Sequence, residues 1–210
     1  MRILCAIFLC FITVVQATDD KYNFYFFYKD RGGRTSVMEK VFDRTVDQLG
    51  EQIIASKVRI SDPAQAALLE KYQLKRSAMP YILVVAPNGV VTGRFALATT
   101  EQNLLASILC PGQENYLKAL DKGKFVVLCM HKGDWNATLE LRKFTSDRRF
   151  AKVTEVVALD DGEIRDHLFL QKFGLDTHSH HPLTVLVAPS GKTLGVYKGN
   201  PNKELLLLGA

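Results

Sequence analysis

The chain has 210 residues, 47% of them hydrophobic and 23% charged, with a formal charge of +5. That length holds one large domain or two small ones, and that composition excludes a disordered chain. The positive charge is mild and spread along the sequence, with no interleaving of aromatic and basic residues, which excludes nucleic acid as the partner and leans toward acidic ones.

Residues 1–17 read as a signal peptide. Arg2 precedes an almost unbroken apolar run over 3–15, and Val15-Gln16-Ala17 has the small residues of a cleavage site. The run is too short for a comfortable membrane span. The mature chain is expected to begin near Thr18 and to be exported, to a periplasm or out of the cell, with no stable membrane insertion. An uncleaved N-terminal anchor is the alternative. Cleavage leaves Cys110 and Cys129. Export makes a disulfide between them chemically possible, but Cys129 lies inside an apolar strand and reads as a small buried side chain.

Residues 22–28 form an aromatic-rich strand and 29–34 a loop containing Gly32-Gly33. A helix follows to Leu49, with Ser36 and Glu39 as a capping box and Val37, Val41 (with Phe42), Val46 and Leu49 as its apolar stripe. Residues 53–60 are the next strand. Asp62 and Pro63 open a helix that ends at Tyr72, proline at the first helical position. Then comes Met79-Pro80-Tyr81-Ile82-Leu83-Val84-Val85-Ala86-Pro87-Asn88-Gly89. A proline opens an apolar run of strand length, Ala-Pro closes it, and Asn-Gly makes the turn into a second strand over 90–95. Thr99 and Gln102 open a closing helix that runs through Leu109. Cys110-Pro111-Gly112-Gln113 breaks it, and 114–120 is a short connecting helix.

The order then restarts. Residues 125–130 are a strand, 131–136 a loop, 138–144 a helix and 153–159 a strand. Asp160-Asp161-Gly162 turns into a helix ending at Phe173. His181-Pro182-Leu183-Thr184-Val185-Leu186-Val187-Ala188-Pro189-Ser190-Gly191 repeats the proline-led hairpin, with its second strand over 192–197. Asn200-Pro201 caps a Leu-rich final helix. A shift of about 101 residues superposes the halves, placing Lys71-Tyr72-Gln73-Leu74 on Lys172-Phe173-Gly174-Leu175. Each half is therefore expected to be β-α-β-α-β-β-α, its two crossovers making parallel strands and its hairpin an antiparallel edge. The expected boundaries are a domain over 18–109, a linker over 110–123 and a second domain over 124–210.

This order resembles the thioredoxin fold in both halves. The resemblance rests on the helix ending in Tyr72 or Phe173, the proline at Pro80 or Pro182, and the hairpin with Gly89 or Gly191. The implied fold class is α/β, two tandem thioredoxin-like domains with mixed central sheets. The resemblance also implies cis peptides at Met79-Pro80 and His181-Pro182, facing the N-terminus of the first long helix; a following proline is what permits cis. Redox members of that family carry Cys-x-x-Cys where the first strand meets that helix, whose N-terminus stabilises a thiolate. Here Gly133-Asp134-Trp135-Asn136-Ala137-Thr138-Leu139 resembles the Asp-Trp-Cys-x-x-Cys segment, with Asn136 and Leu139 in the cysteine positions. In the first half Thr35 and Met38 stand there. Side chains without a thiol cannot exchange, so the chain is expected not to be a dithiol oxidoreductase.

Each half then offers one candidate site, where the first loop meets the segment before the proline. In the second half Trp135 and Asn136 meet His181 and Pro182, with Trp135 as an aromatic anchor. His131, His178, His180 and His181 make the same place a candidate copper or zinc site, since histidine is the commonest metal ligand; a soft ligand is missing from the set. In the first half Lys29, Arg31 and Arg34 on the loop, with Lys75 and Arg76 before Pro80, surround Gly32-Gly33 as an anion site at a helix N-terminus. Asn136-Ala137-Thr138 matches the glycosylation acceptor pattern. The chain shows no nucleophile–base pair and no paired carboxylates, so it is expected not to be an enzyme. Two readings stay open. One is a module without cofactor that holds an extended peptide or partner protein at the proline edge by strand addition. The other is copper or zinc handling through the histidines.

Overall fold

A computed structural model describes residues 20–131, 138–175, 183–199 and 201–209. The first half runs β1 (Tyr22–Tyr28), α1 (Gly33–Leu49), β2 (Ile53–Arg59), α2 (Ala66–Lys71), β3 (Tyr81–Val85), β4 (Val91–Ala96) and α3 (Glu101–Leu105). After α4 (Pro111–Asp121) the second half runs β5 (Phe125–His131), α5 (Leu139–Thr145), β6 (Thr154–Asp160), α6 (Ile164–Gln171), β7 (Leu183–Val187), β8 (Thr193–Lys198) and α7 (Lys203–Gly209). The two four-stranded sheets have the orders β2-β1-β3-β4 and β6-β5-β7-β8. Both halves are thioredoxin-like, with a mixed sheet in each. Among the described residues, no helix is long and apolar enough to cross a membrane.

The central strands are apolar on both faces, as strands covered on both sides must be. Every residue of β3 and of β7 is buried. In β1, Phe24 and Phe26 face one core with Met38 and Phe42 of α1, while Phe27 faces the other with Leu69 and Tyr72.

Strand direction departs from the expected two parallel crossovers. β1 and β2 pair in parallel, but β3 runs antiparallel to β1 and β4 antiparallel to β3. The second half repeats this with β5, β6, β7 and β8. The connection over residues 60–80 is broken into short pieces, the six-residue α2 lying between the turn at Pro63 and the left-handed Gln73 with the single turn Leu74–Arg76, and β3 starts at the end where β2 stops. That places Pro80 at the carboxyl ends of β1 and β2.

Helix ends also shift. α1 begins at Gly33 after Gly32, with no side-chain cap; the Ser36–Glu39 capping box does not form, and Glu39 instead accepts a hydrogen bond from Lys57 Nζ at 2.8 Å. Of the expected stripe of α1, Phe42 is buried and Val41, Val46 and Leu49 pack partly buried against the core, with Met38 and Thr45 buried beside them; Val37 departs from it and is 67% exposed. Thr100, not Thr99, caps α3, its Oγ1 accepting from Asn103 N at 3.2 Å. α3 stops at Leu105, and the Leu109 N–H, past its end, donates to Tyr22 Oη at 2.9 Å. Asn202 accepts from Leu205 N at 2.9 Å, so the cap of α7 lies after Pro201 rather than at Asn200, which falls outside the described residues.

The repeated hairpin holds in atomic detail. The Gly89 N–H donates to Ala86 O and the Ala86 N–H to Val90 O, both at 2.9 Å. In the second copy the Gly191 N–H donates to Ala188 O at 2.9 Å and the Ala188 N–H to Lys192 O at 2.8 Å. Gly89 sits at φ 87° and Gly191 at φ 82°, the left-handed region that a turn followed by a bulge demands. A Cβ on Gly89 meets no atom within 4 Å, so Gly89→Ala carries backbone strain alone. It is expected to cost about 1–2 kcal/mol, read as a lowered thermal midpoint with an unchanged far-UV spectrum.

α4 ties the halves together. Tyr22 of β1 donates its hydroxyl proton to Glu114 Oε1 at 2.5 Å. The Cys110 thiol, at the helix N-cap, donates to Asp166 Oδ1 of α6 at 2.7 Å. Tyr116 and Ala119 lie in the core of the second half, and Leu117 packs against both cores.

Candidate functional site

The open end of the first sheet carries a site in two parts, separated by the β1–α1 loop. On one side is an apolar cleft of about 570 Å³ lined by Gly33, Arg34, Val37, Met38, Leu97, Ala98 and Thr99. Helix α1 supplies Val37, which faces solvent, and Met38, which is 2% exposed and forms part of the floor. The turn after β4 supplies Leu97, held by its N–H donating to Pro80 O at 2.8 Å. Leu97 is 37% exposed and sits at φ 67°. A leucine in the left-handed region is uncommon, and such residues gather at binding sites. The Met79–Pro80 peptide beside it is cis, and the Pro80 ring is buried.

On the other side is a polar recess of about 420 Å³ lined by Tyr28, Lys29, Asp30, Arg31 and Arg59. Tyr28 and Arg59 are register partners at the ends of β1 and β2. The Arg31 guanidinium lies 5.9 Å from the centre of the Tyr28 ring, within cation–π range. The loop between the two parts holds Gly32 and Gly33, where an added Cβ meets nothing within 4 Å, so a ligand backbone can approach closely.

The residues expected to form one cationic site divide. Lys29 and Arg31 line the recess, and Arg34 lines the apolar cleft. Lys75 lies 3.6 Å from Glu70, and Arg76 is exposed in the single turn Leu74–Arg76. Sequence reasoning missed Arg59, Val37 and Leu97. Arg59 had a readable signal, since parallel pairing of two seven-residue strands sets their last residues side by side. Val37 had a misleading one, because it fits a helical apolar stripe. Leu97 had none, because its role comes from backbone conformation.

In the cysteine positions of the first half, Thr35 is in the first turn of α1 and Met38 is buried. In the second half Leu139 is 68% exposed. Trp135, Asn136, His178, His180, His181 and Pro182 lie outside the described residues. His131 is half-buried at the end of β5, opposite Asp160 in register. Among the described residues, no group of three or more His, Cys, Asp or Glu is placed to hold a metal ion.

Cys110 and Cys129 are both free and buried. Burial, with the hydrogen bond to Asp166, pushes the Cys110 thiol up to about 12. Burial pushes Cys129 up to about 12 as well, with a hydrogen bond to Thr184 opposing it. Both are the reverse of a reactive thiolate, whose pKa is lowered by nearby positive charge.

No protein-family description matches the chain, and no curated protein does. Among solved structures it is similar to the germline-specific thioredoxin Deadhead of Drosophila melanogaster, at 23% identity over 45% of this chain and 88% of that one, TM-score 0.37. It is similar to chloroplastic thioredoxin z, at 10% identity over 49% and 83%, TM-score 0.36. It is similar to Fasciola hepatica thioredoxin, at 16% identity over 43% and 81%, TM-score 0.35. Each match spans less than half of this chain.

Proposed function

We propose that this is an exported, non-redox thioredoxin-like module whose first half holds an extended segment of a partner protein. The observation that carries the reading is the apolar cleft, with Val37 67% and Leu97 37% exposed on its walls. Covering a leucine-sized side chain of a ligand there is worth about 1.5–3 kcal/mol. Backbone is on offer as well. Among the described residues, Ala78 and Met79, which lead into Pro80, make no backbone hydrogen bond, so an extended ligand can pair with them. Export rests on the N-terminal segment. The non-redox reading rests on Thr35, Met38, Asn136 and Leu139 in place of cysteines, and on two buried thiols far above the reactive range.

The test is fluorescence anisotropy with labelled, acetylated nonapeptides bearing a central leucine. Val37→Asp and Leu97→Asp are each expected to weaken binding at least tenfold, about 1.4 kcal/mol. Both side chains face solvent, so the thermal midpoint should move little. Wild-type protein that binds no apolar-centred peptide would sink the proposal. A calorimetric titration with copper and zinc separates the other class. Stoichiometric binding that disappears in His178→Ala/His180→Ala/His181→Ala would move the protein to metal handling.

A further inference from the structure

We infer that the segment held by this cleft is acidic, with carboxylates within about three residues of its apolar anchor; the inference rests on the peptide-binding reading above. Its ground is the charge of the neighbouring recess. Lys29, Arg31 and Arg59 line it against the single carboxylate of Asp30, and Arg34 adds a fourth cation on the cleft wall. In the same half, Arg44 is paired with Glu101, Lys57 with Glu39 and Asp43, and Lys75 with Glu70. Lys29, Arg31, Arg34 and Arg59 make no ion pair among the described residues. Lys21, Lys40, Lys71, Arg76 and Arg94 of this half make no ion pair there either; what marks this end is that three cations line one recess with a single carboxylate and a fourth stands on the adjoining cleft wall.

The two parts lie within reach of one ligand. Gly33 lines the cleft and Arg31 the recess, and two residues of chain span at most about 7 Å. An extended peptide advances about 3.4 Å per residue, so an anchor in the cleft brings side chains two or three positions away over the recess. Guanidinium groups suit carboxylates there, because each presents two parallel donors to two oxygens. The Tyr28 ring under Arg31 limits the orientations that side chain must lose on binding. A ligand with apolar and anionic groups in alternation along an extended backbone fits both parts. A free inorganic anion or a nucleic-acid backbone leaves the apolar cleft empty.

The experiment compares three nonapeptides with a central leucine and flanks of Glu, Gln or Lys, each titrated into the protein at 50 mM and 500 mM salt. The Glu-flanked peptide is expected to bind about tenfold tighter than the Gln-flanked one at low salt, the sum of two exposed charge pairs. That advantage should shrink at high salt as screening shortens to a few ångströms. Arg31→Gln/Arg59→Gln should weaken binding of the Glu-flanked peptide more than that of the Gln-flanked one, so that the ratio of the two affinities falls severalfold toward one. Equal affinity for Glu and Gln flanks overturns the inference and leaves the cleft reading standing. Binding by none of the three removes both. Recruitment to phosphatidylserine vesicles that disappears in the double variant, with no preference among the peptides, overturns it in favour of a membrane surface.

Discussion

Replacing Phe42 by alanine is expected to lower the unfolding free energy by about 3–5 kcal/mol, the range for deleting a fully buried phenylalanine. Phe42 is 1% exposed, and its ring lies 5.5 Å from that of Phe26. It anchors the middle of α1 to the sheet. Phe144 occupies the matching place on α5, is fully buried and stacks on Phe150 at 4.8 Å. Phe144→Ala should therefore cost a similar amount. The variants part company in function. α1 also carries Val37 and Met38, so Phe42→Ala should weaken peptide capture as well, whereas Phe144→Ala should leave it intact. Calorimetry of both variants also reports on coupling. α4 is hydrogen-bonded to the first half through Glu114 and to the second through Cys110. If that tie makes the halves one cooperative unit, each variant lowers a single transition. If each half unfolds by itself, each variant lowers only its own. A cost below 1 kcal/mol for Phe42→Ala would contradict the packing described.

A second large effect is alkaline. Cys110 and Cys129 keep their protons up to about 12 in the folded protein, raised from the ordinary 9.0 by burial. The unfolded chain releases those protons near pH 9, while the folded chain retains them until about 12. Across that window the native state binds more protons than the unfolded state, so stability falls as pH rises. Their contribution is fully present below pH 9 and is lost at about 1.4 kcal/mol per pH unit for each thiol. Tyr22 acts in the same direction above its ordinary value of 10.0, because burial and the hydrogen bond to Glu114 raise it too. Urea denaturation at intervals from pH 8 to 11 should show the midpoint dropping, and Cys129→Ala should flatten the slope by about one thiol's share. Iodoacetamide should leave both thiols unmodified at pH 8 until the protein unfolds. A midpoint independent of pH over that range would overturn the account.

The repeat was legible because its signals are local. Pro80 with Gly89, and Pro182 with Gly191, mark a strand start and a left-handed turn position. Proline lacks an N–H and glycine lacks a Cβ wherever they occur. The positive-φ pair Gln73 and Gly174, at φ 58° and 73°, shows the superposition extending to a position where one half uses glycine and the other does not. Helix ends were less legible. Ser36, Thr99 and Asn200 have the right chemistry for caps, but so do Thr100 and Asn202 nearby, and only the arriving backbone selects among them.

The candidate site was half readable. Arg31 stands on the loop, and Arg34 in the first helical turn after it, where any strand-to-helix order puts them, so their place at the sheet end followed from element order. The amino-acid sequence by itself thus determined two α/β repeats, the loops and prolines at their open ends, and the absence of paired thiols at the two helix starts. The tertiary structure alone decided that β3 runs against β1, that Val37 turns outward, and that Arg59 joins Arg31 while Leu97 joins Val37. Strand direction depends on the path of the whole connection over residues 60–80, α2 together with the turns on either side of it. The facing of Val37 depends on how α1 is rotated when Met38 and Phe42 enter the core. Each is a relation between distant segments, settled by packing rather than by the local preferences that a linear pattern records.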